Sequence, residues 1–420
     1  MKIAILGKNP VALETALRFH SHGASITWFN FDEDLLSHFD IDLNWAEATS
    51  ELGQKLLGKN FKSLSYQDWL NDYYSPLITL LKEQDQRIKP YEVVSIAKRH
   101  LAPGETIPGK SRFHDLFRLI FEIDPKDFIN EQKDTDPELY QRLNQEVVNS
   151  LQSRIEMYDD VDVVIDCRYP TFPLSMNISG RALGEKRIQP TDLFRGLEAL
   201  KKSREDISKL REVALVGHGD MTAQVILNLA DWFQDPRMRL FLISHEESPL
   251  QSFLLEAKDE VKERVLKFFS DAEAEFKKMT DEFMVKLREW QALDDFVQVK
   301  IPRPTEPIPR LVYFMAHNAT AIDQLIDNKR LFLTLETSDF RTSKAQPENN
   351  LLELKTIGAD KVFVSNGFKD PENCLDDNEV GFFRIRPASL LVKNNWNKDI
   401  GELNGIEEAI FKLFSPAESH

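Results

Sequence analysis

The sequence predicts an α/β chain built on two crossover units. Three observations carry that expectation. Short apolar runs end in glycine at Gly7 and at Gly217, each run is followed by a helical pattern and a second apolar run, and strand and helix patterns alternate through much of the chain. The length of 420 residues suits two domains of ordinary size.

In the first unit, Ile3 to Leu6 reads as a buried strand ending at Gly7. Pro10 suits the first helical turn, and Val11, Leu13, Ala16, Leu17 and Phe19 give the apolar face, closed by Gly23. Ser25 to Phe29 is the second strand. The stretch from Tyr66 to Lys82 reads as a helix, and Glu92 to Ala97 and Phe117 to Ile123 read as strands on either side of a Pro/Gly-rich loop at 102–109. Asp136-Pro137 opens an expected helix to about Met157, before the buried-type strand Val161 to Ile165, which ends at Asp166-Cys167. Residues 200–212 are rich in charge and read as a helix or linker.

The second unit starts with Val213 to Val216, continues through Gly217-His218-Gly219 into a helix ending near Trp232, and returns as the strand Arg239 to Ser244. From Leu254 to Trp290 apolar residues recur in steps of 3, 4 and 4, at 254, 257, 261, 265, 268, 272, 276, 279, 283, 287 and 290. That 11-residue period fits a nearly straight helix, placed at 252–291, and laid across the molecule or projecting as a dimerisation or partner-binding arm. Val312 to Ala316, Leu331 to Leu335, Val362 to Ser365 and Phe382 to Ile385 read as strands, with a helix expected from Ala319 to Ile326. Asn404-Gly405 reads as the opening of a last helix carrying Ile406, Ala409, Ile410 and Leu413.

Composition excludes several classes. Apolar residues make up 42% and charged residues 29%, a globular balance. With 69 acidic against 53 basic residues the net charge is −16, which repels a nucleic-acid backbone. Two cysteines, Cys167 and Cys374, leave no Cys-x-x-Cys pair and no cysteine-rich zinc site, and they fit a reducing compartment. With no apolar run long enough for a membrane span and no signal-peptide pattern at Met1–Gly7, the expected location is the cytoplasm.

Glycine turns after strands hold diphosphates. The first glycine makes the turn, the second lets the pyrophosphate reach the backbone, the third lets helix and strand pack, and the helix start supplies N–H donors. At the second turn these positions are Gly217, Gly219 and Thr222. The next strand ends Ser244-His245-Glu246-Glu247, with no arginine for a 2′-phosphate, so NADH is favoured over NADPH and His245 is a candidate contact. At the first turn they are Gly7, Asn9 and Ala12, followed by Pro10 within the helix start, and the ribose-binding carboxylate position falls at Asn30 with Asp32 and Glu33 beyond. A weakened site and a purely structural turn remain open there. His218 is either an exposed loop residue or a phosphate contact, and His317 is placed to line a pocket at the strand ends. His20 and His22, two apart on a helix, face different ways and are no metal pair. Cys167 reads as a buried structural thiol, with a reactive thiol as the alternative. No serine-nucleophile or His-Glu-x-x-His motif is present.

The segments Ile3-Ala-Ile-Leu-Gly-Lys-Asn-Pro-Val-Ala-Leu-Glu14, Val163-Val-Ile-Asp-Cys167, Ala182-Leu-Gly-Glu185, Val213 to Ala223, Ile385-Arg-Pro-Ala-Ser389 and Asn404-Gly-Ile-Glu407 together resemble one group. It is the flavoproteins with two dinucleotide-binding domains, the thioredoxin-reductase-like pyridine-nucleotide oxidoreductases, and within it the branch without a redox disulfide. The resemblance implies two Rossmann-like domains, the first discontinuous, at 1–205 with 367–420, and the second at 206–366. It implies FAD on the first turn and at the start of the last helix, NAD(P)H on the second turn, and hydride transfer from nicotinamide to flavin. The departures cluster on the FAD side: Asn9 and Ala12 for glycines, Asn30 for the ribose acid, Arg168-Tyr169 for Thr-Gly, and Arg386 for a glycine near the flavin, with Gly405 at the helix start. They imply that FAD binds differently or not at all. Tyr169 or Arg386 would fill the flavin space, or Arg168 and Arg386 would supply new phosphate contacts. A non-catalytic descendant, binding a nucleotide or a protein partner, is the second expectation.

Overall fold

A computed structural model of the chain describes residues 1–31, 44–98, 115–125, 127, 154–169, 172–177, 180–205, 207–325, 329–337, 354–369, 379–389 and 391–414. Asp32, Glu33, Cys374, the loop at 102–109 and most of the helix expected at 136–157 lie outside the described residues.

Two parallel five-stranded sheets form the α/β frame. The first has strands β1 (Lys2–Leu6), β2 (Ser25–Phe29), β3 (Arg87–Lys89), β7 (Val163–Asp166) and β18 (Phe382–Arg384), in the order β18-β7-β1-β2-β3. Its central strands are apolar on both faces, as a sheet covered on both sides requires. Helix α1 (Pro10–Ser21) covers one face and buries nearly all of its residues from Pro10 to Phe19. The antiparallel meander β4 (Glu92–Lys98), β5 (Phe117–Ile123) and β6 (Ile155–Val161) packs on the other, with Phe117, Leu119 and Phe121 against Ala4, Leu6 and Phe29. Met157, expected at the end of a helix, lies in β6.

The second sheet has the order β12-β11-β10-β16-β9, all parallel: β9 (Leu193–Arg195), β10 (Glu212–Gly217), β11 (Arg239–Ile243), β12 (Leu311–Phe314) and β16 (Lys361–Ser365). Residues 193–195, which the sequence reading gave to the first domain, pair here with β16, so this sheet begins before residue 205. Helix α5 (Gly219–Phe233) covers one face, and an antiparallel sheet of β13 (His317–Gln324), β14 (Leu331–Thr337) and β15 (Leu354–Ala359) covers the other. Of the helix expected at 319–326, residues 319–324 are therefore strand. Ala321 and Ile322 pair with Thr334 and Leu333, with a bulge between Ala319 and Ala321. A short apolar run has no decisive period, and the hairpin partner chose.

The long apolar repeat forms two helices, α6 (Gln251–Glu256) and α7 (Asp259–Gln291). The break falls where the chain bonds across to the C-terminal segment: Lys258 N–H donates to Leu391 O at 2.8 Å, and Lys393 N–H to Glu256 O at 2.8 Å. Helix α7, about 50 Å long at 1.5 Å per residue, buries only Val261, Val265 and Phe268. Beyond them no residue of α7 is buried, so its outer half lies at the surface. Helix α8 (Asn395–Phe414) starts nine residues before Asn404, so Asn404-Gly405 is helix interior, not a helix start. Arg18 Nη1 on α1 donates to Asn404 Oδ1 at 2.6 Å. No described helix is long and apolar enough to cross a membrane.

This anatomy separates two apolar residues of α7. Truncating buried Phe268 to alanine should cost about 3–5 kcal/mol in urea unfolding, while Met284→Ala, 41% exposed, should change it by under about 0.5 kcal/mol.

Candidate functional site

Parallel α/β sheets place ligands at the carboxyl ends of their strands. At that edge of the first sheet the chain turns from β1 into α1 through Gly7, whose φ of +112° brings it against Cys167: an added Cβ would lie 3.0 Å from the Cys167 carbonyl. Trp28 Nε1 donates to Gly7 O at 2.7 Å, and Gly7 N–H to Phe29 O at 3.0 Å. The turn is thus fixed by its neighbours on both sides. Pro10 opens α1, as the sequence predicts.

Asn9 is fully buried at the second glycine position. Its Oδ1 accepts from Ala12 N–H at 2.9 Å, capping the helix, and its Nδ2 donates to Cys167 O at 2.5 Å. Ala12 N–H belongs to the helix start that a diphosphate would use, and it is already bonded. In this form the turn does not fit a dinucleotide diphosphate, because a carboxamide stands where backbone should be open.

The other residues expected at the flavin site are also engaged. Asn30 Oδ1 accepts from the Tyr74 hydroxyl at 2.7 Å. Arg168 folds back on Asp166 as a fork, Nε to Oδ1 at 2.9 Å and Nη2 to Oδ2 at 2.8 Å. Tyr169 packs against the core. Arg386 is exposed and, with Phe383, Arg384, Glu402 and Ile406, lines a cavity of about 480 Å³ between β18 and α8. Gly405 lines the same cavity from mid-helix, so the expected helix start at the cofactor is corrected: α8 begins at Asn395. Burial pushes the Cys167 thiol far above its ordinary range, with Asp166 adding to the effect, which makes it a structural thiol.

Sequence reasoning missed Asp399, one turn into α8. It is 7% exposed, its Oδ1 accepts from Ala388 N–H at 2.8 Å, and burial pushes its carboxyl up to about 7. Its pattern in the sequence is that of any helical acid, so only the fold reveals it.

At the second sheet, Gly217 is required by packing: a Cβ there would sit 2.5 Å from Thr222 Oγ1 and collide with Ser365. Thr222 Oγ1 and Ser365 Oγ are 2.7 Å apart, so the third position ties α5 to β16. Gly219 has φ +70° and open space around it. Its N–H donates to Pro249 O at 2.8 Å, and Asp220 Oδ1 accepts from Met221 N–H at 2.8 Å. The loop after β11 therefore lies over this helix start, and a carboxylate occupies its first turn. His218 and His245 meet edge to face, ring centroids 4.7 Å apart. Burial, and then His218, push the His245 imidazole below its ordinary value, against the pull of Glu246. His317 begins β13 with its N–H on Ser244 O at 2.8 Å and its Nδ1 2.6 Å from Met315 O.

No protein-family model matches the sequence, and no curated protein matches it. Solved structures do. Thioredoxin reductase of Lactococcus lactis aligns over 99% of this chain and 99% of its own, with a TM-score of 0.50 and 9% identity. The FAD-bound cadaverine monooxygenase DfoA of Erwinia amylovora aligns over 99% and 94%, with a TM-score of 0.50 and 10% identity. The chain has the two-domain flavoprotein fold. At the first turn the second glycine position of the pattern carries the buried side chain of Asn9.

The raised Asp399 carboxyl gives a pH dependence. An aspartate of the unfolded chain titrates near 3.8, the folded one near 7, so the fold prefers the protonated form. The contribution is full below about pH 4 and lost as pH rises through about 7. Asp399→Asn keeps an acceptor for Ala388 and never ionises. It should exceed wild type in stability by about 4 kcal/mol at pH 8, and the gap should close at pH 4, measured by urea unfolding at both pH values.

Proposed function

We propose that this chain is a descendant of the two-domain flavoproteins that acts as a binding scaffold and not as a flavin-dependent reductase. The observation that carries this reading is the double bond-making of Asn9, to Ala12 N–H and Cys167 O. A dinucleotide at this turn would have to displace both bonds and leave buried polar groups unpaired, a cost of about 1–3 kcal/mol for each. The engagement of Arg168 by Asp166 and of Asn30 by Tyr74 supports it. At the second turn, Pro249 and Asp220 on the helix start weigh against a pyridine-nucleotide diphosphate in the usual seat.

A second reading, hydride transfer from NAD(P)H to FAD, is favoured by the preserved path of Gly7 and its close approach to Cys167. The purified full chain separates the two. The scaffold reading expects colourless protein, with no flavin band near about 450 nm and no rise in melting temperature with FAD or NADH. A stoichiometric flavin band, or a saturable rise with FAD, overturns it.

A scaffold needs a contact face, and this reading gives that part to the outer half of α7, where Met279 of the apolar repeat is exposed and Phe276, Phe283 and Leu287 are half-buried. A second copy is the partner proposed. Sedimentation of the full chain should give a dimer that Met279→Glu converts to monomer; a wild-type monomer at every concentration removes the arm from the reading.

A further inference from the structure

Strands β10 and β11 run parallel in the register Glu212 with Arg239 through Val216 with Ile243. Continued past the sheet edge, that register sets His218 beside His245. Two imidazoles thus leave the ends of neighbouring strands together, and Glu246 follows one residue later. One donor atom from each of His218, His245 and Glu246 lies within 4.8 Å of the other two, and His245 Nε2 is 3.8 Å from Glu246 Oε1. His218 Nδ1 is buried with no hydrogen-bond partner. His218 precedes α5 but makes no side-chain capping bond, so capping does not explain it.

An imidazole with a buried, unpartnered nitrogen, packed against a second imidazole and close to a carboxylate, is a set of metal ligands. We propose that His218, His245 and Glu246 bind a divalent transition-metal ion of the zinc class at the mouth of the second glycine turn. Two nitrogens and one oxygen suit zinc, cobalt or nickel better than magnesium or calcium, which take oxygen ligands. Bonds of about 2.1 Å set tetrahedral ligand atoms roughly 3.4 Å apart, a closure that side-chain rotation supplies, since Glu246 is exposed. Three protein ligands leave a fourth position open.

The helix start opposes a cation, because its dipole end is positive. Asp220 in the first turn and the neighbouring Glu247 offset that field. The same dipole favours an anion in the fourth position, a hydroxide or a phosphate oxygen. The site thus inverts the usual use of the turn: the protein supplies the negative and neutral ligands, and a metal sits between the helix and any anion. The inference stands whether or not FAD binds at the first turn.

The test uses the untagged full chain, stripped with chelator and titrated with cobalt(II), followed by its visible absorption and by calorimetry. We expect one ion per chain, a saturable band displaced by zinc, and a melting temperature raised by the metal. His218→Ala and His245→Ala should each weaken cobalt binding by more than about 100-fold, with the metal-free melting temperature unchanged for His218→Ala. Absence of a saturable band in wild type overturns the proposal. So does a band of equal affinity in the His218→Ala/His245→Ala double variant, which would place the ion elsewhere.

Discussion

Asn9 holds three parts of the first sheet's carboxyl edge together. Its carbonyl oxygen caps α1 through Ala12, and its amide nitrogen binds the carbonyl at the end of β7. Both strands that would flank a diphosphate, β1 and β7, are thereby joined through one buried side chain. Gly7 has a positive φ and lies against Cys167, and Arg168 folds onto Asp166.

The second turn has changed in a different way. Gly217 and Thr222 preserve the packing of strand against helix, while the loop after β11 closes over Gly219 through Pro249. His218 and His245 face one another beside it. Backbone shape persists in both turns because it is set by sheet and helix packing, which tolerates few changes. The donor groups depend on single residues and are altered at little cost to the fold. That is why a chain can align over 99% of its length with a reductase at 9% identity.

The sequence made the frame legible where periodicity is long or buried: β1, α1, β10 and α5 follow from apolar runs that end in glycine. It failed where the signal is short. Ala319 to Ile326 has too few apolar residues to tell strand from helix, and β14 decided the outcome. Asn404-Gly405 has the composition of a turn, yet Leu403 and Ile410 bury one face of a helix that runs through it. The eroded first turn was readable from Asn9 alone, but its two bonds were not, since Cys167 is 158 residues away. Asp399 carried no mark in the sequence because its raised pKa comes from burial, a property of the assembled fold.

The central claim is that Asn9 already occupies the helix-start donor of the first turn, and amide hydrogen exchange at Ala12 tests it most directly. Unbonded amides in a first helical turn exchange quickly. The account predicts slow exchange at Ala12 in the wild-type chain and fast exchange in Asn9→Ala, with the amides of β1 unchanged. Equal exchange at Ala12 in the two proteins would contradict it.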